Sequence, residues 1–268
     1  MTFWDMFAIG AVILLGVPHG GLDGAVARRV GWPSGPIAWL GFHLGYITIG
    51  ILVTLFWWSF PLVSLALFLA ITAVHFGASD IADIGSDIIP WVVHGGLVTI
   101  AIPNLQPTLV EPIFTILIGA HNASLLMNGL SSLFLPWLLG LIGYCIFAYK
   151  HPPYRKSLLQ LLVFFGLAII LPPLISFALY FCLSHSRGHL VRLWRSLGLT
   201  EQRRSLIEAT IYTLISWLSV GIIIYYFQTS FTETLIKLTF IGLAALTLPH
   251  MLLVDCADRR HNSRQDLL

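Results

Sequence analysis

The chain has 268 residues, of which 57% are hydrophobic and 10% charged, and its formal net charge is +2. Soluble domains carry about 25% charged residues, so this composition excludes a soluble globular protein, which could not cover its surface. The net charge says little about partners, and no basic block points to nucleic acid, so no nucleic-acid partner is expected. What remains is an integral membrane protein in a lipid bilayer. It reads as a single domain over 1–268, all-α and polytopic, with about eight or nine transmembrane helices around an intramembrane histidine cluster.

Residues 1–18 form the first apolar span. They lack a basic n-region and a small-x-small cleavage site, so they read as a retained helix rather than a signal peptide. Spans follow at 36–57, 61–82 and 88–105, the first two of these separated at Pro61. The stretch 109–131 is interrupted by Asn122, Asn128 and two glycines and reads as a re-entrant or interfacial piece. Further spans are expected at 132–149, 157–171, 173–197, 203–227 and 231–257, with Pro172-Pro173 dividing a run too long for one simple helix. Cys145, Cys182 and Cys256 form no CxxC pair and read as small packing residues.

The basic residues orient this path. Arg28 and Arg29, then Lys150, Arg155 and Lys156, then Arg192, Arg195, Arg203 and Arg204, then Arg259, Arg260 and Arg264 fall in alternate connections. The opposite connections, around 58–60, 106–131 and 228–232, hold no Lys or Arg. Nine crossings, with the N-terminus outside and the C-terminus in the cytoplasm, put every basic cluster inside. The expected location is the inner (plasma) membrane. The loop 80–87 is acidic, with Asp80, Asp83 and Asp87, but acidic residues count little in this rule.

On that path His19, His43, His75, His94, His185, His189 and His250 share one depth in the inner half of the membrane. Such residues are costly in hydrocarbon and are functional candidates by default. Imidazole is also the commonest side-chain ligand of transition metals. His185-Ser186-Arg187-Gly188-His189 places two imidazoles at i and i+4, a spacing that lets both hold one metal. In Pro18-His19-Gly20-Gly21-Leu22-Asp23-Gly24 the backbone opens, and Asp23 is available to accept the second N–H of a ligand histidine. His75 and His250 are each followed five residues later by an aspartate, Asp80 and Asp255. Five residues turn about 140° round a helix, so contact within either pair requires a departure from helical backbone.

For each motif alone, a hydrogen-bonded interior or helix-end histidine is an equally good or better reading. Taken together, several imidazoles from separate spans, with no intramembrane Cys cluster or Glu pair, suit one Fe or Cu ion, with Zn as a further choice. His43 and His94 carry no motif and read as polar neighbours of the cluster. His121, His151 and His261 lie outside it. The 9 Trp, 17 Phe and 8 Tyr are mostly expected at lipid and interface, the rest lining a tunnel for a long apolar molecule.

Gly16-Val17-Pro18-His19-Gly20-Gly21-Leu22-Asp23, His75-Phe76-Gly77-Ala78-Ser79-Asp80, His185-Ser186-Arg187-Gly188-His189 and Leu248-Pro249-His250 occur in order. This set resembles the bacteriorhodopsin-related-protein (Brp/Blh) family of membrane β-carotene 15,15′-dioxygenases, over about residues 10–256. The resemblance implies a non-haem Fe(II) enzyme that uses O2 to split the central double bond of β-carotene, giving two all-trans-retinal. It implies His19, His75, His185 and His189 as iron ligands and catalytic residues, with His250 as a nearby or alternative ligand. Asp23, Asp80, His43 and His94 would support them. The implied partners are β-carotene or a related carotenoid, entering from the bilayer, and a rhodopsin that takes up the retinal.

Two positions depart from the family pattern: Ser184 stands where an aromatic residue is frequent, and His94-Gly95 replaces an Arg-Gly pair. Two other classes compete. A di-iron hydroxylase or desaturase would need about eight ligand histidines in repeated HxxxH and HxxHH patterns, and one HxxxH is present. A histidine-lined ion transporter would show repeated halves and a polar path across the membrane rather than one layer.

Overall fold

The computed structural model describes residues 3–32, 35–226 and 230–265, with side chains except at 17, 19 and 255–265. Helix accounts for 92% of it, and the described residues contain no strand, so the fold is all-α. The α-helices are α1 (Phe3–Ala11), α2 (Asp23–Arg29), α3 (Pro36–Ser59), α4 (Pro61–Ile81), α5 (Ile88–Gly96), α6 (Ile102–Leu105) and α7 (Pro107–Ile118), followed by α8 (Ala120–Lys150), α9 (Arg155–Ile170), α10 (Pro173–Leu179), α11 (Arg187–Arg195), α12 (Leu199–Tyr226) and α13 (Phe231–Gln265). Three wider, π-helical turns interrupt the regular helices, at Val12–Gly16, Leu97–Ala101 and Tyr180–Ser186.

Among the described residues, eight helical stretches are long and apolar enough to cross a membrane: Phe3–Arg29, Pro36–Ser59, Pro61–Ile81, Ile88–Leu105, Ala120–Lys150, Pro152–Ile170, Leu199–Tyr226 and Phe231–Val254. Residues 109–131 are not one interfacial piece. They divide at Gly119, whose φ of 84° favours glycine, into the short α7 and the start of a continuous α8. The asparagine expected to break this run does not, because Asn122 Nδ2 donates to the Ile118 carbonyl at 2.9 Å across the break. Residues 155–170 form a helix of their own that stops before Pro172-Pro173. The seventh expected span, 173–197, is α10, a π-helical turn and α11 in succession and is not one of the eight.

The chain divides into two compact units, one of Met1–Val12 and Phe60–His189, the other of Ile13–Ser59 and Leu190–Leu268. In the first unit α4 and α5 meet back to back. A Cβ on Gly77 would strike the Trp91 carbonyl, and one on Gly95 would strike the Ala73 carbonyl. Small residues let backbones approach closely where lipid supplies no hydrophobic drive between helices. Prolines, helix ends and wide turns free carbonyls, which in hydrocarbon must find donors within the protein. Trp91 Nε1 donates to Val74 O at 3.2 Å and Trp137 Nε1 to Val93 O at 3.0 Å. Gln106 Nε2 reaches the last turn of α9, donating to Ala168 O at 2.9 Å and Leu171 O at 2.5 Å.

In the second unit Leu22, Val26 and Leu193 form a small core. Arg28 fastens α2 to α12. Its guanidinium donates to Glu201 at 2.7 Å, Glu208 at 2.8 Å and Ser205 at 3.1 Å, and lies 5.4 Å from the Trp39 ring centroid. On the long helices large apolar side chains face outward, as with Ile37 at 86% and Trp58 at 87% exposed. That is the surface a bilayer solvates and water does not.

Candidate active site

In the first unit, α4 carries His75, Phe76 and Asp80, and its close contact with α5 brings Asp80 near His94. Asp80 is the hub. Its side chain is 9% exposed, and a carboxylate this buried must be met by donors. Oδ1 lies 3.3 Å from His185 Nδ1. Oδ2 accepts the hydroxyl of Tyr180, and His94 Nδ1 approaches it at 3.6 Å. The other nitrogen of His94, Nε2, is 2.8 Å from Ser157 Oγ of α9 and 3.5 Å from the Tyr144 hydroxyl of α8.

Both Tyr180 and His185 belong to the π-helical turn Tyr180–Ser186, while His189 lies on α11. The HSRGH motif therefore begins on a wide turn and ends on an α-helix. Such turns are frequent at functional sites because they re-aim side chains within a helix. The His185 ring is boxed by Phe76 at 4.1 Å, Phe181 at 6.0 Å and Tyr180 at 6.5 Å between centroids. His75 completes the enclosure at 5.0 Å, with ring planes 71° apart. The Nε2 atoms of His75, His185 and His189 are all shielded from solvent.

The second unit repeats part of this chemistry. Asp23, the first residue of α2, is buried. Its Oδ1 lies 2.7 Å from His250 Nδ1 on α13, and its Oδ2 accepts the Tyr46 hydroxyl of α3 at 2.8 Å. His43 is occupied elsewhere: Nδ1 lies 2.6 Å from the Trp39 carbonyl and Nε2 lies 2.7 Å from the Tyr212 hydroxyl. The backbone of His19 runs through a 3-10 turn, Val17–Leu22, and its side chain lies outside the described residues, as does that of Asp255.

Asp80 faces His185 and His94; it shares the regular helix α4 with His75, where their five-residue spacing turns about 140°, as the sequence indicates. Asp23 serves His250 and Tyr46. Tyr180, Tyr46, Ser157 and Phe76 went unnoticed in the sequence. Tyr180 lies five residues before His185, a spacing that becomes informative only once the π-helical turn is known.

Among the described residues, no group of three or more His, Cys, Asp or Glu is arranged to hold a metal ion. The donor chemistry nonetheless suits a divalent transition metal, iron among them. When a carboxylate takes the Nδ1–H of an imidazole, it fixes the tautomer in which Nε2 carries the lone pair and raises its basicity. Asp80 Oδ1 faces His185 Nδ1 at 3.3 Å and Asp23 Oδ1 faces His250 Nδ1 at 2.7 Å, the placement that such an interaction needs.

Comparison with known proteins bears on the same residues. The family model described as "Beta-carotene 15,15'-dioxygenase" matches residues 10–258. The chain belongs to that family. A relative from an uncultured marine bacterium 66A03, named "Beta-carotene 15,15'-dioxygenase", is 36% identical over 270 residues, covering 97% of this chain and 96% of its own length. No solved structure matches the chain. The chain is accordingly an oxidoreductase.

Proposed function

We propose that the protein is an Fe(II)-dependent dioxygenase of the membrane that cleaves the central 15,15′ double bond of β-carotene. The observation that carries this reading is the full-length match to a relative bearing that activity in its name. One oxygen atom of O2 goes to each carbon of the cleaved bond, so one polyene gives two retinals. Carried over by motif, His19, His75, His185 and His189 would hold the iron, with His250 as a further donor. Bound Fe(II) would supply the activation of O2.

The chain's own residues do the rest. Asp80 holds the proton of His185 on Nδ1, and Phe76, Phe181 and Tyr180 shield that ring from water. Excluding water protects reactive oxygenated species. A rigid apolar setting selects one double bond by position, because the polyene offers no polar handle. Expression in β-carotene-accumulating cells tests the reading. Loss of orange colour with retinal as product is expected. Apocarotenals of unequal length would move the cleaved bond, and unchanged pigment would overturn the proposal.

The orientation rests on the arginine clusters. A reporter fused after Arg264 is expected in the cytoplasm and one near Gln228 outside. Both on the same side would overturn the nine-crossing path, starting with the division at Pro172-Pro173.

A further inference from the structure

Asp80 is a single carboxylate at the meeting point of two histidines that have different fates. All donors around it run toward it. The Tyr180 hydroxyl donates to Oδ2, and His185 presents Nδ1 to Oδ1 at 3.3 Å. His94 presents Nδ1 to Oδ2 at 3.6 Å, while its Nε2 lies 2.8 Å from Ser157 Oγ. A His94 tautomer with its proton on Nδ1, facing the carboxylate at 3.6 Å, has its Nε2 lone pair turned to the serine O–H at 2.8 Å and none left for a metal. His185 belongs to the HSRGH motif and faces the same carboxylate.

We propose that Asp80 is a positioning residue that fixes His185 as an Nε2 donor, and that Ser157 and His94 position Asp80 from behind. His94 is then the brace of a histidine ligand and not a ligand. The inference rests on the iron reading given above, but its first link, Asp80 to His185, exists without metal. The order is Ser157, His94, Asp80, His185. Three helices, α9, α5 and α4, thereby set the aim of an imidazole on the π-helical turn. The wide turn and its stacked rings set where the His185 ring sits, and a partner outside the turn sets which of its nitrogens carries the proton.

The test separates aim from fold and from iron. In metal-free protein in lipid nanodiscs, 15N NMR of labelled histidine reports which ring nitrogen carries the proton, with the His185 signal identified by its loss in His185→Gln. Wild type is expected to show Nδ1–H. Asp80→Asn should shift it toward Nε2–H, because the new amide donates to Nδ1. Fe(II) affinity, measured by chelator competition, should fall about 10–100-fold in Asp80→Asn. It should fall less in His94→Gln, less again in Ser157→Ala, and recover in large part in Asp80→Glu.

Asp87→Asn, at a carboxylate that accepts the Tyr154 hydroxyl instead, should change neither readout. If Asp80→Asn does not purify as a folded protein, Tyr180→Phe and His94→Gln carry the test. Wild-type affinity in both would overturn the brace. An unshifted His185 signal in Asp80→Asn would overturn the proposal outright. A wild-type protein that binds no Fe(II), with the tautomer shift intact, would instead sink the iron reading and leave the Asp80–His185 link standing.

Discussion

Each unit buries one aspartate that accepts a tyrosine hydroxyl on one oxygen and faces a histidine Nδ1 with the other. The two differ in load. Asp23 serves one imidazole, His250, at 2.7 Å, and one phenol, Tyr46, at 2.8 Å. Asp80 serves Tyr180 and two imidazoles, at the longer distances of 3.3 and 3.6 Å. A carboxylate has about four acceptor positions, so both counts are tolerable, but a shared carboxylate divides its field. Asp23 acts as a dedicated clamp on one ring. Asp80 acts as a junction through which one histidine braces another, and damage at a junction spreads further than damage at a clamp.

The largest contrast is expected between the rings themselves. His185→Ala and His189→Ala should remove most of about one bound iron per chain, and His19→Ala and His75→Ala should abolish retinal formation at matched expression. His250→Ala should lose only part of the iron, with Fe(II) affinity and retinal formation each lowered about 10-fold. If metal analysis finds iron lost equally from His250→Ala, both aspartates orient ligands of the same rank and the contrast collapses.

Next come the carboxylates. Asp23→Asn disturbs one ring, so its loss of Fe(II) affinity should sit at the lower end, about 10-fold, below that of Asp80→Asn. Equal losses in chelator competition would erase the difference between clamp and junction. The phenols should matter less. Tyr180→Phe and Tyr46→Phe each remove one intramembrane hydrogen bond, worth about 0.6 kcal/mol and at most about 1.7. Tyr46 also approaches the Leu246 carbonyl at 3.3 Å, and Asp23 keeps its short bond to His250. Metal analysis should therefore show Tyr180→Phe to be the more harmful for iron retention, and thermal unfolding in detergent should show Tyr46→Phe to be the more harmful for melting temperature. The smallest effects belong to histidines outside both groups. His121→Ala should leave retinal yield near normal, and His43→Ala should alter rate more than iron content. A His43→Ala protein devoid of iron would bring that ring into the site.

Much of this was legible from residue types alone. Low charge, long apolar runs and paired prolines place most of the helices, and the spans at 36–59, 61–81 and 88–105 lie within a few residues of their expected bounds. The exposed cost of histidine in hydrocarbon singled out His75, His185 and His250, and all three prove to be enclosed. The partners were not legible. Asp80 meets His185 from 105 positions away and Asp23 meets His250 from 227, and no local spacing encodes such pairings. Asn122 misled because its polarity suggested a break, whereas it folds back onto the Ile118 carbonyl. The wide turn at Tyr180–Ser186 escaped notice because nothing in Tyr-Phe-Cys-Leu-Ser-His-Ser disfavours an ordinary α-helix.

That turn has a consequence for anyone who would make the protein sturdier. A π-helical turn amounts to one residue too many in an α-helix, kept against a small local cost. Removing Cys182 would let the backbone relax into regular geometry, and the edited helix would be locally the better one. It would also re-aim the side chains within the turn itself, carrying His185 off Asp80 and out of its aromatic box. Heat tolerance gained there would come as lost iron. Directed evolution that selects for survival at high temperature, without a colour screen for carotenoid bleaching, would drift toward that deletion and away from the enzyme.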